Sequence, residues 1–138
     1  MQSLSAKKIL VVDDQPSMRR FVETSLRQAG AADFLFGENG SEAVETALRE
    51  HPDLIVMDMS MPQGSGLSLL RQLKESPETS GIPVVIISGG DFRQMSSEGD
   101  AIAVLRKPFT CRQILGEVER LFADPGLASA TQKGAYLA

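Results

Sequence analysis

The sequence predicts an α/β domain, a doubly wound sheet of five parallel strands covered by helices on both sides. Three observations predict it. Short, continuous apolar runs rich in β-branched residues recur along the 138 residues, stretches with helical spacing separate them, and polar residues follow several runs at once. Runs of that length suit strands buried on both faces, and their alternation with helices implies right-handed crossovers in a three-layer sandwich.

The first strand is read at residues 9–12. Met18, Phe21, Val22, Ser25 and Ala29 then fall at three- and four-residue steps, a helix opened by Pro16 and closed by Gly30. A second strand is read at 34–36, followed by a helix carrying Ala43, Val44, Ala47 and Leu48. Asn39 is placed to cap that helix, with Glu42 three residues on as a capping-box partner. The third strand, 54–57, leads to a stripe of Leu67, Leu70 and Leu73, and the fourth strand is read at 83–87. The fifth, at 101–105, is the weakest run, and Ile114, Val118 and Leu121 mark the last helix. Between the fourth and fifth strands a helix is due, yet residues 89–100 offer only Phe92 and Met95 as apolar anchors, among Ser96, Ser97 and Gly99. A short or weak fourth helix is expected there.

Length allows one domain, expected over residues 1–122, with 123–138 a flexible tail or the start of a linker. Fourteen basic against eighteen acidic residues leave a net charge of −4, which argues against direct nucleic-acid binding. The single cysteine, Cys111, permits neither an internal disulfide nor a Cys-rich zinc site. No apolar run reaches membrane-spanning length, and residues 1–8 lack a secretory signal, so no membrane association and a cytoplasmic location are expected.

In such sheets ligands bind beyond the carboxyl ends of the strands. Asp13 and Asp14 follow the first run, Asp58 the third, Ser88 the fourth, and Arg106 and Lys107 the fifth, just before Pro108. Three carboxylates gathered at one edge would repel, so positive charge must join them. A hard divalent cation such as Mg²⁺, with Lys107, answers that need and leaves room for phosphate oxygens. Asp58, central in the sheet, is the candidate nucleophile for forming an acyl phosphate. Asp13 and Asp14 suit the metal, and the Ser88 hydroxyl, before Gly89 and Gly90, suits a phosphoryl oxygen.

With those residues in view, the chain resembles the CheY-like receiver domains of two-component response regulators. The resemblance is carried by Val11-Val12-Asp13-Asp14, Asp58 with Met61-Pro62 and Gly66, Ser88-Gly89, and Lys107-Pro108-Phe109, and covers about residues 7–122. It implies a flavodoxin-like strand order of 2-1-3-4-5 and phosphorylation of Asp58 by a histidine kinase, a phosphotransfer protein or a small phosphodonor. It implies Mg²⁺ held by Asp14, Asp58 and the Ser60 backbone carbonyl, with Asp13 acting largely through water. Lys107 would pair with the acyl phosphate, Ser88 would swing toward it, and the Lys107–Pro108 bond is often cis. The output would be a downstream protein partner or a fused effector. Two departures stand out. Val104 occupies the place of an aromatic switch residue, and the interval from Ser88 to Lys107 is short by about one helical turn.

Other readings use the same residues. Asp13 and Asp14 could simply cap the first helix. His51 reads as an exposed helix cap, Cys111 as a partly buried filler, and Arg19-Arg20 as a solvated helix face. Two other functions compete with the switch. One is a receiver-shaped interaction domain free of phosphorylation. The other is a metal-dependent phosphohydrolase with an aspartate nucleophile, for which the adjacent Asp13 and Asp14 leave no suitably spaced acid/base.

Overall fold

The computed structural model describes residues 4–59, 66–89 and 102–123. β1 (Lys8–Val12), β2 (Asp33–Gly37), β3 (Leu54–Asp58), β4 (Val84–Ser88) and β5 (Ile102–Arg106) form one parallel sheet in the order β2-β1-β3-β4-β5. α1 (Pro16–Arg27), α2 (Gly40–Glu50), α3 (Gly66–Glu75) and α4 (Cys111–Ala123) accompany it. The expected sheet and strand order are therefore observed.

Alternation along each strand sends successive side chains to opposite faces and divides the core in two. Ile9, Val11, Leu54 and Val56 meet Val22 and Leu26 of α1 and Ile114, Val118 and Leu121 of α4. Leu10, Val12, Ile55 and Met57 meet Ala43 and Ala47 of α2 and Leu69, Leu70 and Leu73 of α3. Helix ends follow local chemistry. Pro16 opens α1, and Asn39 Oδ1 accepts from the Glu42 N–H at 2.9 Å at the start of α2. His51 closes α2 in the left-handed region with φ 50°, its N–H donating to Ala47 O. It is exposed, as expected of a cap.

Three expectations need correction. β2 was read as buried on both faces, but it lies at the sheet edge and Phe36 is 41% exposed. Phe21 and Leu48 fit the helical stripes yet are exposed, because Leu26 takes the inward position on α1 and Ala43 and Ala47 suffice on α2. Phe21 instead packs against Phe109, ring centroids 5.5 Å apart. The weak helix expected between β4 and β5 lies, beyond Gly89, outside the described residues, as does the tail past Ala123.

Candidate functional site

Parallel register brings the strand ends together. Asp58 is paired with Ile87, and Ser88 with Arg106. Backbone bonds carry the register past the strands: Asp13 N–H donates to Gly37 O at 3.0 Å, Met59 N–H to Ile87 O at 2.9 Å, and Lys107 N–H to Ser88 O at 2.8 Å. Three strands, β1, β3 and β5, thus deliver their following residues to one edge, beside the last residues of β2 and β4.

At that edge Lys107 Nζ donates to Asp58 Oδ2 at 2.7 Å, linking residues 49 apart in sequence. Asp58 is buried, while the lysine side chain is 28% exposed, so the pair forms the floor of an accessible site. Asp13 is buried beside them. Its Oδ1 accepts from the Gln15 N–H at 2.9 Å, a local turn leading into α1, whereas Oδ2 is buried without a hydrogen-bond partner. Burial pushes the Asp13 carboxyl up from 3.8 to about 6. The Asp58 charge and a carboxyl–carboxyl contact add to the rise, against the lowering effects of the Gln15 N–H and the Lys107 ammonium. The bond to Gln15 is not a helix cap, because Gln15 itself holds the N-cap position of α1, where no side chain caps the helix.

The remaining candidates are distributed less tightly. Ser88 is buried at the end of β4. Asp14 is exposed, and among the described residues no three His, Cys, Asp or Glu side chains converge to hold a metal. Ser60 lies outside the described residues. Val104 is half-buried and packs on the α2–α3 side of the sheet. The Lys107–Pro108 bond is cis. Cys111 is half-buried at the start of α4, in keeping with a filler.

One residue was misread. Arg20 is exposed as a solvated face requires, but Arg19 is not. Its Nη1 donates to Asp13 O at 2.7 Å, its Nη2 lies 3.7 Å from Glu38 Oε1, and only 17% of its side chain is exposed. Its position one turn into a helix that starts beside Asp13 is the signal that would have found it. A groove of about 420 Å³, lined by Met18, Phe21, Gly89, Lys107, Pro108 and Phe109, opens next to the lysine.

Comparisons with known proteins bear on the chain as a whole. The family model for the response regulator receiver domain matches residues 9–119. The chain belongs to this family. Among curated relatives, the chemotaxis protein CheY-3 of Vibrio cholerae is 30% identical over 118 residues, covering 83% of this chain and 91% of its own. The probable transcriptional regulator ycf27 of Porphyridium aerugineum is 30% identical over 127 residues, covering 92% of this chain and 52% of its own. The chain spans about half the length of such transcriptional regulators. Among solved structures, the receiver domain of sensor histidine kinase PA1611 from Pseudomonas aeruginosa PAO1 was described with a magnesium ion coordinated in its active site cleft. At 24% identity, with a TM-score of 0.77 over 86% of this chain and 98% of that one, it shows the shared fold. Receiver domains are phospho-accepting signalling switches, and in this one Asp58, Lys107 and Asp13 meet at the carboxyl edge of the sheet. No helix among its described residues is long and apolar enough to cross a membrane.

Proposed function

We propose that this receiver accepts a phosphoryl group on Asp58 from the phosphohistidine of a sensor histidine kinase or a phosphotransfer protein, in the cytoplasm, and changes partners accordingly. The observation that carries the reading is the 2.7 Å contact of Lys107 Nζ with Asp58 Oδ2 beside the buried Asp13. An Asp58 oxygen attacks phosphorus, the donor P–N bond breaks, and the imidazole leaves with the electron pair and gains a proton. Water later hydrolyses the acyl phosphate, releasing inorganic phosphate and restoring the carboxylate. Lys107 offsets the charge arriving on the phosphoryl oxygens. Such a cycle returns the chain to its start with each signal, a switch rather than a turnover enzyme.

The donor set suits Mg²⁺. Asp13 Oδ2 is a buried acceptor lacking a hydrogen-bond partner, next to a second carboxylate. Asp13, Asp14, Asp58 and the Ser60 carbonyl would hold the ion. Mg²⁺ commonly takes one or two carboxylates directly and keeps several waters, so some of these acids would reach the ion through water. When bound, the ion would supply positive charge to the phosphoryl oxygens in addition to that of Lys107. Ser88, buried at the end of β4, would donate its hydroxyl hydrogen to the phosphoryl and move with it. Val104 lacks the ring that would report that motion, so the switch is assigned to Ser88 and its loop. The response is received by a downstream protein or a fused effector, without direct nucleic-acid or membrane contact.

Intact-mass measurement after incubation with Mg²⁺ and acetyl phosphate or phosphoramidate tests this. One hydroxylamine-labile phosphoryl adduct per wild-type chain and none on Asp58→Asn is the expected result. Equal labelling of the variant overturns the assignment.

A further inference from the structure

We infer that Arg19 is a positioning residue, holding the Asp13 peptide so that the unpartnered Asp13 carboxylate oxygen stays beside Asp58, ready for a divalent cation. This rests on the phosphoacceptor reading above. Asp13 is held at three points. Its N–H donates to Gly37 O at 3.0 Å, its Oδ1 accepts from Gln15 N–H at 2.9 Å, and its carbonyl accepts from Arg19 Nη1 at 2.7 Å. The first two come from backbone neighbours and persist with any side chain at position 19. The third is a side-chain bond, short and charge-assisted.

The same guanidinium reaches Glu38, just past β2, with Nη2 3.7 Å from Oε1. Arg19 therefore ties the segment after β1 to the segment after β2, using two arms of one planar fork. A lysine, with a single point charge, cannot serve both arms in that geometry. The bond falls on the residue whose Oδ2 is buried without a hydrogen-bond partner, so what it orients is an acceptor still waiting for an electropositive group. Removing an outer partner of a metal ligand commonly weakens metal binding by about 10–100-fold.

The test is a Mg²⁺ titration of the full chain followed by backbone amide NMR shifts, beside thermal melts without metal. Arg19→Met should weaken Mg²⁺ binding about tenfold, and Arg19→Lys should fall between it and wild type. In an Asp13→Asn background, Arg19→Met should cause no further loss, because both act on one ligand. A lowered metal-free melting temperature with unchanged Mg²⁺ affinity would show a merely structural role and overturn the inference. Should Arg19→Met not fold, Arg19→Lys decides, and wild-type affinity in that variant overturns it. Wild-type protein that neither binds Mg²⁺ nor labels on Asp58 sinks the phosphoacceptor reading, whereas normal wild-type behaviour with an indifferent Arg19 variant sinks this inference alone.

Discussion

Asp13 combines two opposed demands, a buried position and an ionisable group held next to Asp58. Its carboxyl titrates near 6 in the fold, against 3.8 for an unperturbed aspartate. The folded state therefore binds the extra proton between those values, and stability falls as pH rises from about 4 to 6. Above that window the ionised group costs about 3 kcal/mol, from two pH units at 1.4 kcal/mol each. Asp13→Asn keeps an acceptor for the Gln15 N–H and removes the charge. It should raise the unfolding free energy by up to about 3 kcal/mol at pH 7 and by little at pH 4, read from urea melts at both pH values. Asp13 and Asp58 were legible in the sequence because each directly follows an apolar run, and Lys107 because it comes one residue later, before Pro108. Arg19 was not, since helical spacing assigns it to a polar face without showing that this face looks onto the Asp13 carbonyl.

α2 shows how a short helix is bounded and anchored. The Asn39 carboxamide satisfies the Glu42 N–H at its start, and Asn39→Ala should cost about 1 kcal/mol in thermal or chemical unfolding. On the neighbouring α3, Leu70 is completely buried, and Leu70→Ala should cost about 2–5 kcal/mol, where Leu48→Ala, on a residue 37% exposed, should cost less than about 1 kcal/mol. That contrast is a check on which leucines face the core. Strands were readable with boundaries off by a residue, since β-branched runs such as Val84–Ile87 have few alternatives. The exposure of β2 was not readable, because edge or centre depends on strand order and not on the composition of Phe34, Leu35 and Phe36. For α1, the stripe took in Phe21 and passed over Leu26, which is fully buried among residues of the sheet and α4.

The sheet as a unit places like charges at one edge and leaves their compensation partly to solution. A divalent cation binding only the native state adds stability by mass action, about 2.7 kcal/mol at a hundredfold excess over the dissociation constant. Mg²⁺ should therefore raise the melting temperature of wild type and a chelator should reverse it. Asp58→Asn should respond much less, and calorimetry with and without the ion checks this. The strand order carries a further consequence. β1 pairs directly with β2 and β3, whereas the strand leading to Lys107 joins last, through β4. As the chain leaves the ribosome, both acids emerge well before the lysine. The ion pair of Lys107 with Asp58 can therefore close only after the last strand has been made, and it offsets one of the two acids.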